Sequence, residues 1–239
     1  MKSISVLRLR VAYASTAVVR LLTLFFVCAF VAVSATDASA GDAGKEQQIR
    51  AVVRFVPDGD TLVLAHGEVV RLLGIDAPEM GKNGASDQFY AAKARALLAS
   101  MVLGNIVIVR PSSPSKDRYG RTLAEVMLPG GENVNEILVS EGAAMVYYHD
   151  DLPEGYFNSL LALQRRALKI RIGMWQVLKS MNTGGALYVA NRRSMRLFTP
   201  SCDGAGRIAR KNRVEFSSID EAFAFGYSPA RHCGIWPDQ

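Results

Sequence analysis

The chain is 239 residues long, 49% apolar and 21% charged, which is enough for a hydrophobic core and excludes disordered, collagen-like and disulfide-dense classes. Its net charge of +6 admits a polyanionic partner, nucleic acid or membrane, without choosing between them. The charge is unevenly placed. Residues 1–40 carry four basic residues and one acid, residues 41–180 carry 16 of each, and residues 181–239 carry eight basic and five acidic.

Lys2, Arg8, Arg10 and Arg20 precede an uncharged, mostly apolar run from Leu21 to Val33, and Ala38, Ser39 and Ala40 supply the small residues a signal peptidase needs. Residues 1–40 read as a secretory signal peptide cut after Ala40, with a cut after Ala35 and an uncleaved anchor as the other outcomes. The run of 13 residues is shorter than the roughly 20 of a transmembrane helix. The expected location is secreted or periplasmic, with no stable membrane association after cleavage. Export removes Cys28 and leaves Cys202 and Cys233 in an oxidising compartment, where the expectation is one disulfide.

Residues 41–48 form a polar linker. Arg50–Phe55, Thr61–Leu64 and Val69–Ile75 are short β-branched runs separated by turn residues, Pro57-Asp58-Gly59 and His66-Gly67, and predict a three-strand meander. Ser86–Leu103 is alanine-rich, with Phe89, Ala92, Ala96 and Ala99 at helical spacing, and predicts an amphipathic helix. Asn105–Pro111 and Ala124–Leu128 predict two more strands. Asn133 caps a helix that runs through Ser140 and stops at Gly142, with Glu136 at the capping-box position. Tyr156–Ile172 predicts a third helix, with Leu160, Leu161, Leu163, Ala167 and Leu168 for its core face. The expected class is α+β: a five-stranded Greek-key barrel with three helices over residues 49–178, a linker at 179–186, and a small module at 187–239.

The chemistry concentrates in Asp58-Gly59-Asp60-Thr61 and in the run from Arg71 through Asp76 and Ala77 to Glu79. Carboxylates at the ends of adjacent strands can converge, and their hard oxygens suit Ca²⁺ or Mg²⁺ better than a soft transition metal. Crowded carboxylates repel one another unless a cation or an arginine neutralises them. Arg71 lies in the same segment, and Arg121 ends a second turn, Arg118-Tyr119-Gly120-Arg121. Two arginines beside a hard cation meet the needs of phosphoryl chemistry, and a carboxylate such as Glu79 can deprotonate an attacking water.

These motifs resemble the staphylococcal nuclease family: Asp58-Gly59-Asp60-Thr61, then Arg71 to Glu79, then Asp117-Arg118-Tyr119-Gly120-Arg121, then Val134-Asn135-Glu136 and Gly142, ending near Trp175. The resemblance covers about residues 48–176. It implies an OB-fold and Ca²⁺-dependent cleavage of DNA and RNA, leaving 5′-hydroxyl and 3′-phosphate ends. By the same resemblance Asp60 and Asp76 ligate Ca²⁺ through their side chains and Ala77 through its backbone carbonyl, with Asp58 behind them. Arg71 and Arg121 bind the scissile phosphate, and Glu79 is the general base. Arg118 and Tyr119 match positions contacting a terminal phosphate and sugar, and Tyr148 matches an aromatic packed on the base. The pair Tyr147 and Tyr148 leaves packing at the barrel edge equally open. A monomer is expected, and the rival function is a non-catalytic OB-fold protein of the cell envelope that binds nucleic acid without cutting it.

After the linker, Tyr188–Asn191, Phe198, Cys202, Val214–Ser218 and Gly226–Pro229 with Cys233 resemble, more weakly, the cysteine-containing zinc module of a methylphosphotriester repair protein. Ala230 stands where that module has a cysteine, so four thiolates are not available. The expectation is a Cys202–Cys233 disulfide in preference to a metal site completed by His232. The tail's arginines fit a DNA-holding appendage and a solvated face equally.

Overall fold

The computed structural model describes residues 48–150, 152–181, 187–231, 233, 235 and 236. The expected signal peptide, most of the two linkers and His232 therefore lie outside the described residues. β1 (Ile49–Phe55), β2 (Thr61–Leu64) and β3 (Val69–Leu72) form the antiparallel meander. β5 (Ile106–Lys116) and β6 (Thr122–Met127) complete a closed barrel in the order β1-β2-β3-β6-β5, with β3 and β6 parallel. The alternation along β6 sends Thr122, Ala124 and Val126 inward, against Val53, Leu62, Leu64, Val70 and Leu72.

Three expected elements differ from what the structure shows, one of them β5, which runs on to Lys116 instead of ending at Pro111. The third strand does not continue to Ile75. Gly74 takes φ +72°, and the chain leaves the barrel to make β4 (Ile75–Asp76), which pairs with β7 (Met145–Val146) instead. The first helix, α1 (Ala91–Val102), begins later than Ser86 and buries Ala91, Ala94, Leu98 and Val102, whereas Ala92 and Ala96 face solvent. Alanine adds too little apolar area to choose a face, so the larger Leu98 and Val102 orient the helix.

α2 (Val134–Ser140) has the expected cap: the Asn133 side chain accepts from the amides of Asn135 and Glu136. α3 (Tyr156–Ile170) buries Leu160, Leu161, Ala167 and Leu168 with Gln164 between them. Asn135 is fully buried. Its Oδ1 accepts from Val126 N at 3.1 Å, and its Nδ2 donates to the carbonyls of Leu73 at 3.0 Å and Ala124 at 3.3 Å. One side chain thus joins α2, β6 and the exit from β3.

The C-terminal residues add a second sheet ordered β10-β8-β9-β11, from β8 (Tyr188–Asn191), β9 (Arg196–Phe198), β10 (Arg213–Phe216) and β11 (Ser228–Pro229), with helix α4 (Ile219–Ala224). Cys202 and Cys233 are disulfide-bonded, their Cα atoms 5.7 Å apart. This sheet shares a core with the barrel's helical side. Met145, Ala167, Met174 and Trp175 pack with Tyr188, Leu197, Phe216 and Phe223. Trp175 lies 5.0 Å from Phe223, and Trp236 stacks on Phe223 at 5.7 Å between ring centres. Gln164 ties the two parts again, accepting from Val146 N at 2.8 Å and donating to Phe223 O at 2.6 Å.

Glu68, after the β2–β3 turn, accepts from Thr122, from Lys116 Nζ at 3.0 Å, and is paired with His66 Nε2 at 3.1 Å. The Thr122 hydroxyl, with Lys116 and His66 and against some burial, lowers its carboxyl from 4.5 to about 2. Its contribution is therefore complete above the unfolded value and disappears as pH falls through about 2. Glu68→Gln should lower the urea-unfolding free energy by about 1 kcal/mol at pH 7, and the gap to wild type should close between pH 4.5 and pH 2. Asn135→Leu removes the side-chain partner of the Val126 amide and the Leu73 carbonyl, while the Ala124 carbonyl keeps the Leu73 amide, and should destabilise the fold by about 3 kcal/mol in the same measurement.

Candidate active site

The Asp58–Asp60 turn between β1 and β2 is pressed against the chain that follows β4. A side chain on Gly59 would meet the Cβ atoms of Ala77 and Ala94, each at 2.7 Å, so only glycine lets the turn come this close. The approach places Asp60 Oδ2 2.6 Å from the amide of Ala77. Asp60 Oδ1 accepts from Thr61 Oγ1 at 3.0 Å, and Asp58 Oδ1 accepts from the Asp60 amide at 3.3 Å. Asp58 and Asp60 are buried.

Arg71 on β3 points into this cluster and is itself only 6% exposed. Its Nη2 bridges the carboxylates, 3.1 Å from Asp60 Oδ2 and 2.7 Å from Asp76 Oδ1. Its Nη1 donates to the carbonyls of Ile75 at 2.8 Å and Leu72 at 3.1 Å. Burial works against the charge on Arg71, but the carboxylates of Asp60, Asp76 and Asp58 outweigh it and push the guanidinium above its ordinary range. Burial raises the Asp60 carboxyl to about 7, with Arg71 opposing the rise and Asp58 and Asp76 adding to it.

Asp60 and Asp76 thus share one buried guanidinium, with Asp58 behind Asp60, and the donors they offer are all oxygens. That chemistry fits a hard divalent cation. Among the described residues no group of three or more His, Cys, Asp or Glu side chains is placed to hold a metal by itself. A cation at this position would therefore draw on the Ala77 carbonyl or on water besides the carboxylates.

The second arginine arrives from the turn between β5 and β6. Arg121 Nε lies 2.8 Å from Asp117 Oδ2, while Asp117 Oδ1 accepts from the amides of Arg121 at 3.0 Å and Tyr119 at 2.9 Å. Burial would raise Asp117, but the hydrogen bonds from Arg121 and the two amides hold its carboxyl below the ordinary range. Tyr119 projects into solvent with Arg118 over its ring at 4.8 Å and Arg121 at 5.4 Å. Arg71, Arg118, Tyr119 and Arg121 line one cleft of about 540 Å³.

Glu79 sits beside that cleft, in a second cavity of about 310 Å³ with Asp76 and Ala77. Its amide donates to Gln88 Oε1 at 2.9 Å, and its carboxylate is 41% exposed. The structure therefore brings Asp58, Asp60, Arg71, Asp76 and Ala77 into one cluster, with Arg121 and Glu79 in adjoining cavities. Tyr148 is placed elsewhere. It faces Phe157 edge-on at 5.3 Å, while its neighbours Tyr147 and His149 line the cleft, as alternation along extended chain requires. Sequence reasoning missed Asp117 as the residue that fixes Arg121, although it opens the quoted motif. It also missed Arg196 and Arg231, which reach the cleft from the tail with no local signal.

The model of the staphylococcal nuclease homologue family matches residues 69–177. An uncharacterised endonuclease of Escherichia coli O157:H7 is 37% identical over 129 residues, covering 52% of this chain and 74% of the relative. The thermonuclease of Staphylococcus hyicus is 31% identical over 149 residues, 61% of this chain and 86% of the relative. Endonuclease YhcR of Bacillus subtilis is 29% identical over 208 residues, 76% of this chain but 17% of that longer protein.

Arg71→Met would leave the buried carboxylates without their bridging cation. It should lower stability by about 3–5 kcal/mol at pH 7 in chemical denaturation, with a smaller loss at pH 4, where protons neutralise the same oxygens.

Proposed function

The chain belongs to the staphylococcal nuclease homologue family, and we propose that it is a secreted or periplasmic, monomeric, Ca²⁺-dependent nuclease that hydrolyses DNA and RNA with little sequence preference. Export rests on the character of residues 1–40. The observation that carries the activity is the convergence of two arginines on one cleft, one of them reaching back into a carboxylate cluster, with Glu79 in the adjoining cavity.

Asp60 and Asp76 would hold Ca²⁺ by their side chains and Ala77 by its carbonyl, with Asp58 bracing the turn through the Asp60 amide. When bound, the ion supplies positive charge for the phosphate and for the hydroxide being formed. Arg71 and Arg121 hold the scissile phosphate and stabilise the charge that builds on its equatorial oxygens. Asp117 keeps the Arg121 fork aimed into the cleft. Glu79 takes the proton from a water that attacks phosphorus. The phosphorus–O5′ bond breaks, O5′ takes up a proton from solvent water, Glu79 returns its proton to solvent, and the products are a 5′-hydroxyl and a 3′-phosphate. Arg118 and Tyr119, at the solvent end of the cleft, contact the next phosphate and sugar. Tyr148 packs on Phe157 and the ring of Tyr147 carries the Arg196 guanidinium, so a base reaching either aromatic would compete with those contacts.

Purified protein should degrade single-stranded DNA in Ca²⁺ and stop when a chelator is added. Glu79→Gln should lower kcat by about a thousandfold, and Asp117→Asn should lower kcat/KM about tenfold by loosening Arg121. Tight binding of single-stranded DNA by wild type without any Ca²⁺-stimulated hydrolysis would instead identify the non-catalytic binding protein.

A further inference from the structure

The cleft described above is only partly a property of the barrel. One of its walls comes from the C-terminal sheet, through Arg196, Phe198, Ala230 and Arg231. Arg231 also lines the cavity that holds Asp76 and Glu79, so it stands where the two cavities meet. Its Nη2 is 3.8 Å from Asp76 Oδ1 and 3.9 Å from Glu79 Oε1, outside hydrogen-bonding distance, and 53% of the side chain is exposed. Exposed ion pairs of that length hold a guanidinium weakly, which allows an incoming phosphate to replace them.

The backbone beneath Arg231 is fixed. Ala230 N donates to Leu197 O at 2.8 Å and Cys233 N to Ala230 O at 2.9 Å, while β11 pairs with β9 and Cys233 is bonded to Cys202. Arg196 is the more closely held member of the pair. Its guanidinium lies over Tyr147, 3.7 Å from the ring centre, and it is hydrogen-bonded to Ser228 Oγ. The tail thus presents one hydrogen-bonded and one largely exposed guanidinium to a cleft whose barrel side already carries Arg71, Arg118 and Arg121.

We propose that Arg231, with Arg196 beside it, binds a second phosphate of a single-stranded polynucleotide, the one on the far side of the scissile phosphate from Arg118 and Tyr119. A strand that enters past Tyr119 and crosses Arg71 and Arg121 reaches Arg231 where the two cavities meet, with the Glu79 cavity left to the attacking water. The tail therefore lengthens the binding track by one nucleotide and makes the site prefer a polynucleotide over a single phosphodiester. This inference rests on the reading of the cleft as a polynucleotide site.

The test measures binding in Ca²⁺ on a Glu79→Gln background, so that the ligand is not consumed. A fluorescent eight-nucleotide oligothymidylate and a dinucleoside monophosphate, which has no second phosphate, are titrated at several salt concentrations. Arg231→Gln should weaken the longer ligand about tenfold and the dinucleotide far less, and should lower the slope of log K against log salt by about 0.7, one phosphate contact on a single strand. Arg231→Lys, which keeps the charge, should restore most of that slope. Arg207→Gln removes the same charge from an exposed tail residue that lines neither cavity and should leave the slope as it was. Equal losses on both ligands, no loss on the longer one, or an equal effect of Arg207→Gln would overturn the proposal. Wild-type hydrolysis, run alongside, separates the two readings. Hydrolysis with an indifferent Arg231 defeats the second phosphate site alone, and an Arg231-dependent length preference without hydrolysis defeats the nuclease alone.

Discussion

A guanidinium taken out of water must find carboxylates and carbonyls to replace it, and the position of Arg71 imposes that demand on everything around it. Its two terminal nitrogens together meet Asp60, Asp76 and the carbonyls of Leu72 and Ile75. The last two partners set the path of the chain as it leaves β3, and the first two draw the β1–β2 turn onto β4. Gly59 and Gly74 follow from this, one permitting close approach and the other the reversal. Asn135 holds the same exit from the opposite side by gripping the Leu73 carbonyl.

The arrangement also separates two tasks that arginine performs. Arg71 and Arg121 are both braced by carboxylates, but Arg71 is buried and shared by two of them, whereas Arg121 has a single partner and lies nearer solvent. The oxygens around Arg71 offer a divalent cation hard donors. The one-to-one pairing around Arg121 leaves a guanidinium that is aimed without being consumed. Both arrangements are assembled on strand ends and tight turns of a closed barrel, where the backbone is least able to drift.

Much of this was legible in the sequence because it is local. The strands announced themselves by β-branched runs between turn residues, the α2 cap by Asn133, and the carboxylate cluster by motifs within a 22-residue stretch, Asp58 to Glu79. The face of α1 was misread because a helix rich in alanine carries almost no directional apolar signal. The two-residue strands β4 and β7 are too short to show a period, and their pairing brings together residues about 70 positions apart in sequence. Tyr147 and Tyr148 are adjacent in sequence and point opposite ways, a choice made by the pairing of β4 with β7 and by Phe157 on α3. Arg196 and Arg231 were invisible as site residues because only the tertiary docking of the tail delivers them.

That docking has a bearing on whether the tail could serve a different barrel. Trp175 lies near the end of the family-matched region, yet its indole is packed by Phe223 and Trp236 from the C-terminal segment, and the Gln164 amide in the middle of α3 donates to the Phe223 carbonyl. The junction is a socket shared by both parts rather than a hinge between two modules. Transplanting the tail onto another barrel of the same family would transfer its arginines but not their aim, unless the recipient also carried Gln164, Trp175 and the apolar face of α3. The extra wall of the cleft therefore depends on residues from both sides of the seam, and the tail alone would supply charge without a cleft.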